Sequence, residues 1–96
     1  MTKNITLSLF DAADYLKDDA DIAAYLTVVL EEGDASALIE ALGTIAKARG
    51  MNEIAKAAGL GRESLYKALR AEAQPRFDTV QRVLTALGVK LTAVPA

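Results

Sequence analysis

The 96-residue sequence contains no cysteine and no histidine. Without cysteine the chain forms no disulfide and offers no thiolate metal site, and without histidine it lacks the commonest general base and metal ligand. Its longest nearly apolar stretch, Ile22–Leu30, is too short to span a bilayer, and its first residues do not have the organisation of a signal peptide. These absences predict a cytoplasmic protein that is not an enzyme and that holds no metal and no cofactor.

The length and composition are those of one globular domain. Hydrophobic residues make up 52% of the chain and charged residues 25%, close to the average for globular proteins. No linker or low-complexity segment divides residues 1–96, so we predict a single domain. A chain of this size buries only a thin core, and a second subunit would therefore add stability.

The net charge of −2 conceals an uneven distribution along the chain. Residues 1–45 carry nine acidic side chains against two lysines, a net charge of −7, whereas residues 46–96 carry nine basic side chains against four acidic ones, a net charge of +5. This division indicates two different partners, a polyanion for the basic half and a basic protein for the acidic half. The alternative is that solvated helix faces happen to be segregated in this way.

Apolar residues recur at helical spacing through most of the sequence, and aspartate and glycine mark the ends of the segments. Gly33 and Gly50 each follow such a segment, where a residue free to adopt positive φ ends a helix. The pattern predicts an all-α bundle of five or six helices joined by short turns: 11–16, 19–32, 35–49, 51–58, 62–71 and 78–87. In the 19–32 helix the predicted buried stripe is Ile22, Leu26, Val29 and Leu30.

Both ends of the chain show a different periodicity. Apolar and polar residues alternate over 5–9 and again over 89–94. A period of two is typical of an extended strand, so short β-strands are expected at both places. They would pair with each other or with a second subunit, because a lone strand needs a partner.

The segment 51–70, MNEIAKAAGLGRESLYKALR, has the pattern of a helix-turn-helix. Ala55 is small where the two helices cross closely, and Gly59, four residues later, suits a turn that needs a backbone without Cβ. Five further positions that would face the core are apolar: Ile54, Ala58, Leu60, Leu65 and Ala68. The alternative is an ordinary pair of antiparallel helices with a glycine-rich turn, but the basic charge of this half favours DNA binding.

The second helix of the motif would lie in the major groove, with its N-terminal residues near base edges. Arg62 suits guanine, Glu63 suits the amino group of cytosine or orients Arg62, and Lys67 suits a base or a phosphate. Phosphate contacts are expected from the others, and Gly61 leaves backbone N–H groups open at the start of the helix. The predicted DNA-binding residues are Asn52, Gly61, Arg62, Glu63, Tyr66, Lys67 and Arg70.

Four segments carry a resemblance to a known family: FDAADYL at 10–16, IAAYLTVVLEEGDASALIEALGTIAKARGM at 22–51, GLGRESLYKAL at 59–69 and FDTVQRVLTALGVKL at 77–91. The chain resembles the antidote proteins of addiction modules, the HigA-like antitoxins within the Xre/Cro type of helix-turn-helix repressors. The last segment is common to many Xre-type repressors, whereas the combination of the acidic start, the LEEGD turn and GRESLYKAL is much more specific. One departure is Gly61, where many relatives carry serine.

The resemblance implies the antitoxin of a type II toxin–antitoxin module, built on an Xre/Cro-type helix-turn-helix bundle. It would neutralise a small basic RelE/ParE-like toxin by direct binding. As a dimer it would bind a palindromic operator in double-stranded DNA and repress its own promoter. The positions with which the family reads DNA fall here on Arg62, Glu63, Tyr66 and Lys67.

The acidic N-terminal region is the expected binding surface for such a toxin, because opposite charges favour encounter and specificity. Aromatic side chains would supply apolar contacts. The predicted toxin-binding residues are Phe10, Asp11, Asp14, Tyr15 and Asp18. Alternatively, the aromatic side chains pack on the core, and the acidic ones are solvated or cap helices.

Two other functions fit the same residues. One is a stand-alone Xre-type transcriptional regulator with no toxin, and the other is a protein-interaction adaptor that does not bind DNA. The antitoxin and the regulator both predict DNA binding that weakens steeply with salt, because phosphate contacts release counterions. Inhibition of a toxin separates the antitoxin from the regulator.

Overall fold

The computed structural model describes Leu16, residues 18–70 and residues 72–96. This part of the chain forms five α-helices and no strand: α1 (Asp19–Glu32), α2 (Ala35–Arg49), α3 (Met51–Ala58), α4 (Arg62–Ala68) and α5 (Phe77–Ala86). The all-α class and the predicted helices at 19–32, 35–49 and 51–58 are confirmed. The strand predicted at 5–9 and the helix predicted at 11–16, apart from Leu16, lie outside the described residues.

Aspartate and glycine side by side turn α1 back into α2. The Asp18 carboxylate accepts a hydrogen bond from the N–H of Asp21 at 2.8 Å and so caps the start of α1. Gly33 ends that helix with φ of 74°. The carboxylate of the next residue, Asp34, caps α2 by accepting from the N–H of Ser36 at 2.9 Å. Because only two residues separate the helices, α1 and α2 pack side by side as an antiparallel pair.

The far ends of this helical pair meet the end of α5. Asp19 lies at the start of α1 and Arg49 at the end of α2, and their side chains form a salt bridge of 3.6 Å. Gly88, just after α5, has φ of 83°, and a Cβ placed on it would lie 2.6 Å from the Asp19 carboxylate. The Asp19 side chain at the start of the acidic hairpin therefore lies against the backbone of the basic half at Gly88.

The core lies among all five helices. Each of the first three helices packs against the next one along the chain, and α3 also packs against α5. The largest fully buried side chains are Ile22, Leu42, Ile45, Leu65, Val83, Leu84 and Leu87. Leu30, predicted to face the core, is instead 41% exposed. No helix in the described part of the chain is long and apolar enough to cross a bilayer.

The helix predicted at 62–71 is shorter in the structure and ends at Ala68. Just beyond this end the chain lies close to α2, where a Cβ placed on Gly43 would lie only 2.9 Å from the carbonyl oxygen of Leu69. Glu72 then takes a positive φ of 73°, which turns the chain towards α5. Arg70 therefore lies beyond the helix on which it was predicted.

The strand predicted at 89–94 is absent, and these residues are neither helix nor strand. Val89 and Leu91 both pack against the core. Lys90, which lies between them, and Thr92, which follows Leu91, are exposed. An extended segment that lies on a core shows the same alternation as a strand, because successive side chains point to opposite sides. Here the alternation follows from which side chains pack on the core, and residues 89–94 form no strand.

Candidate nucleic-acid interface

A glycine turn fixes the angle between α3 and α4. Gly59 takes a left-handed conformation with φ of 73° and ψ of 31°. Its N–H donates to the carbonyl of Lys56 at 3.1 Å, and the N–H of Leu60 donates to the carbonyl of Ala55 at 2.9 Å. This pair of bonds is a Schellman motif, which satisfies the last carbonyls of the helix. Leu60 packs against the core, so the turn predicted at 59–61 is held by both backbone and side chain.

Two leucines attach α4 to the core and leave the other side of the helix in solvent. Leu65 is fully buried and Leu69 is 4% exposed. The carbonyl of Gly61 accepts from the N–H of Leu65 at 3.0 Å, and no side chain caps the start of the helix. A helix of seven residues is not stable alone in water, so this packing is what holds α4 in place.

The seven residues predicted from the sequence to bind DNA are all exposed: Asn52, Gly61, Arg62, Glu63, Tyr66, Lys67 and Arg70. Arg62, Glu63 and Tyr66 line one shallow depression. Asn52 lies in the first turn of α3, on the other helix of the pair. No hydrogen bond or salt bridge joins Glu63 to Arg62 in the described residues, so nothing here supports the role of Glu63 in orienting that arginine.

A groove of about 310 Å³ lies beside this surface and adds a cation that sequence reasoning missed. Lys47 of α2, Tyr66 of α4 and Arg70 all line it. The Lys47 ammonium lies 5.9 Å from the centre of the Tyr66 ring, within the range of a cation–π interaction. Lys47 lies in the last turn of α2, where a cation suits the helix dipole, and the sequence indicates no further role for it. Only the crossing of α2 and α4 brings it to Tyr66.

The cations of this surface are unpaired within the described part of the chain. Lys47, Arg62, Lys67 and Arg70 form no salt bridge there. Exposed basic side chains without a salt bridge are available to phosphate groups; two carboxylates lie nearby, Glu63 in the depression with Arg62 and Glu40 in the groove with Lys47 and Arg70. The geometry thus combines a short, core-supported helix with a cationic outer surface.

The residues predicted to bind a toxin are mostly outside the described part of the chain. Phe10, Asp11, Asp14 and Tyr15 lie there, and nothing in the structure tests them. Asp18 is exposed and caps α1 through its hydrogen bond to Asp21. This is the capping role that the alternative interpretation assigns to these acidic residues. The second carboxylate oxygen of Asp18 has no hydrogen bond to the described residues.

Comparison with known proteins gives two matches. A family model described as "Probable addiction module antidote protein" matches residues 6–95. The chain is also similar to an uncharacterized protein of Haemophilus influenzae (strain KW20 / Rd), with 43% identity over 81 residues that cover 84% of each chain. No solved structure matches the chain. The family match spans all five helices, including the α3–α4 pair and its turn.

Proposed function

Because the chain belongs to the family of probable addiction module antidote proteins, we propose that it is the antitoxin of a type II toxin–antitoxin module and also represses its own promoter. Proteins of this family are antidotes rather than enzymes, and an antidote implies a toxin partner. The family match over residues 6–95 is the observation that carries the antitoxin role. The proposed toxin is a small basic RelE/ParE-like protein, and both activities take place in the cytoplasm.

A growth assay tests the antitoxin role. The small open reading frame next to this gene is expressed alone and together with the full chain. We expect growth arrest in the first case, growth in the second, and co-purification of the two proteins. If the neighbouring product is harmless, or if its toxicity is not relieved by this chain, the stand-alone Xre-type regulator becomes the better description.

The proposed DNA-binding function rests on the outer surface of α4. Leu65 and Leu69 fix the helix to the core, so its exposed side is presented at a defined angle to α3. A helix presented in this way fits the major groove, with the first helix of the pair crossing the backbone. Lys47 and Arg70 lie at one border of the surface, where cations meet phosphates when the helix is in the groove.

Within this proposal the seven exposed residues divide into three groups. Arg62 and Glu63, in the first turn of α4, would contact base edges, Arg62 through guanine O6 and N7. Tyr66 and Lys67, one turn later, lie closer to the border with the groove and would contact a base or a phosphate. The remaining members of the set, Asn52, Gly61 and Arg70, would contact the sugar–phosphate backbone and fix the register.

Replacing Arg62 with alanine tests the assignment of the reading helix. The Arg62→Ala variant should bind the module's promoter DNA more weakly by roughly 1–3 kcal/mol and lose selectivity at one base position. Fluorescence anisotropy at several salt concentrations measures this, with Lys90→Ala, an exposed lysine after α5, as the matched control. Unchanged affinity and unchanged sequence preference in Arg62→Ala would contradict the assignment, and salt-independent binding would favour the adaptor.

The repressor is proposed to act as a two-fold symmetric dimer. Its two α4 helices would then read half-sites of a palindrome about one helical turn apart, or a multiple of that distance. The thin core of a chain of this size supports association. Sedimentation equilibrium measures the state directly, and a mass of one chain at the concentrations that bind operator would contradict the dimer.

A further inference from the structure

The outer side of α1 lacks charge where a solvent-exposed helix normally carries it. From Ile22 to Leu30 the sequence IAAYLTVVL contains no charged residue. Only part of this run is buried in the core, through Ile22 and Leu26, with Tyr25 and Val29 half-buried. Exposed helix surfaces are usually polar. We define the outer face of α1 as Ala23, Ala24, Thr27, Val28 and Leu30, all of which are exposed, with no partner among residues 18–70 and 72–96.

The outer face of α1 has a floor of small side chains between two larger ones. Since successive residues turn by about 100° around a helix, Ala24 and Thr27 occupy the middle of the face, and Ala23 lies on the same side as Leu30. Val28 and Leu30 occupy its two sides and are 57% and 41% exposed. A floor of small residues allows another chain segment to approach the helix axis closely.

The floor also has no hydroxyl that requires a polar partner. The Thr27 hydroxyl donates to the carbonyl of Ala23, in its own helix, at 2.8 Å. The hydroxyl therefore already has a hydrogen-bond acceptor within α1. An apolar segment can cover Thr27 without leaving a buried donor unsatisfied. At the C-terminal end the face continues into an apolar groove lined by Leu30, Ala35 and Leu38.

Charge around the outer face of α1 selects the partner. Residues 18–34, which comprise α1 and its two flanking turns, contain no lysine or arginine and six acidic residues: Asp18, Asp19, Asp21, Glu31, Glu32 and Asp34. Of these, Asp19 is already paired with Arg49. Five of the six lie at the two ends of α1. A second copy of this chain would bring like charges together, which is unfavourable, and DNA would meet the same repulsion. A cationic protein is the complementary occupant.

We propose that the outer face of α1 is the docking surface for the toxin, a deepening that rests on the proposed function. The toxin would lay an apolar segment of its own along Ala24 and Thr27, between Val28 and Leu30. Lysine or arginine side chains at the two ends of that segment would meet the acids at the two ends of α1. The burial of the apolar face gives affinity, and the charged ends give encounter rate and orientation.

The test places a positive charge on the floor of the face. The full-length Ala24→Arg variant is compared with wild type for binding to the purified product of the neighbouring open reading frame, by isothermal titration calorimetry. Arginine is a good helix former, so α1 should persist. The matched control is Ala48→Arg, which adds the same side chain at an exposed position of α2 outside this face. We expect binding at least about tenfold weaker in Ala24→Arg and within about twofold of wild type in Ala48→Arg.

Hydroxyl-radical footprinting of the wild-type chain supplies a second readout that needs no variant. Val28 and Leu30 should become protected in the complex, and an Ala24→Arg variant that failed to fold would leave this result unaffected. If the wild type binds the neighbouring product but neither residue is protected and Ala24→Arg binds normally, the docking surface is wrong while the antitoxin role stands. If the wild type does not bind that product at all, both proposals are overturned.

Discussion

Gly61 and Gly88 both adjoin helix ends, yet a side chain at each would meet different surroundings. Gly61, before α4, has φ of −71°, and the nearest atom to a Cβ placed on it is the Ser64 hydroxyl oxygen at 3.9 Å. Gly88, after α5, has φ of 83° and faces the Asp19 carboxylate at 2.6 Å. The first glycine is therefore replaceable, whereas the second is required by its conformation, and a Cβ there would also displace the exposed Asp19 carboxylate.

The substitution Gly61→Ser should stabilise the protein. A serine oxygen at this N-cap position accepts from an N–H of the first turn of α4, which no side chain caps at present. With the reduced freedom of the unfolded chain, the gain should be about 0.5–1 kcal/mol, a rise of a few degrees in Tm. Thermal denaturation measures it, with Gly61→Ala as a control that fills the space without the oxygen. A lower Tm for serine than for glycine would contradict the prediction.

The substitution Gly88→Ala should destabilise the protein by more than about 1 kcal/mol, the cost of a left-handed residue with a Cβ. The excess comes from the displaced Asp19 carboxylate, which must move away from the Arg49 guanidinium. The matched control is Gly33→Ala, which has a similar φ of 74° but nothing within 4 Å of the added Cβ. Equal losses in the two variants, measured by denaturant titration, would show that the contact with Asp19 does not matter.

At the scale of whole elements, α4 depends on its neighbours more than any other described helix. It has seven residues, too few for an isolated helix to persist in water. Its stability comes from burying Leu65 and Leu69 and from the close approach of its end to Gly43 of α2. The position and orientation of the surface proposed to bind DNA therefore depend on this packing.

Truncating the buried side of α4 should unfold the chain more readily and weaken DNA binding together. Leu65→Ala removes a fully buried side chain and should cost about 2–5 kcal/mol of stability. Ser64→Ala, an exposed change in the same turn, serves as the control and should cost much less. Chemical denaturation followed by circular dichroism measures the free energy of unfolding of the two variants, and fluorescence anisotropy measures their DNA binding. A loss below about 1 kcal/mol in Leu65→Ala would mean that α4 is not held by this contact.

Sequence signals predicted the helix ends well where the signalling residue itself makes the cap or the turn. Asp34 caps α2 and Gly33 and Gly59 end their helices as predicted, because capping depends on residues only two to five positions apart. The structure ends α4 at Ala68 rather than at residue 71, and beyond that end Leu69 contacts Gly43, which lies in another helix and is outside the reach of local signals. The same limit explains why Lys47 was not associated with Tyr66.

Hydrophobic periodicity predicted which residues are apolar on one side, but not what covers them. Val80, Val83, Leu84 and Leu87 are buried as the helical pattern indicated. Leu30 continued the same stripe on α1 but is exposed, because the stripe reaches the hairpin turn, where the core ends. The exposed site residues Arg62, Glu63, Tyr66 and Lys67 could be identified from the sequence because the buried Leu65, one of the two leucines that attach α4 to the core, sets the orientation of the helix.

In the molecule as a whole, the acidic and the basic residues lie on different surfaces. The hairpin of α1 and α2 carries acids and the apolar outer face of α1, whereas the cationic surface belongs to α4 and the end of α2. The described helices pack so that α1 contacts chiefly α2, and α4 chiefly α3. The two proposed binding surfaces therefore do not overlap.

Separate surfaces predict a complex of toxin, antitoxin and DNA. The wild-type chain saturated with the purified neighbouring product should still shift promoter DNA, and the shifted band should contain both proteins. Electrophoretic mobility shift followed by mass spectrometry of the band measures this. The control is Ala24→Arg, whose band should contain the antitoxin alone. Release of the DNA by toxin at every ratio would mean that the two surfaces compete.

The order in which the helices pack has a consequence for the speed of folding. Each of α1, α2 and α3 contacts the helix that follows it in the chain, and helical proteins with such local contacts fold within microseconds to milliseconds. Synthesis of 96 residues at the usual ribosomal rate takes roughly 5–20 s. Translation is thus the slow step, and a newly made chain is ready to bind its partner almost as soon as it leaves the ribosome.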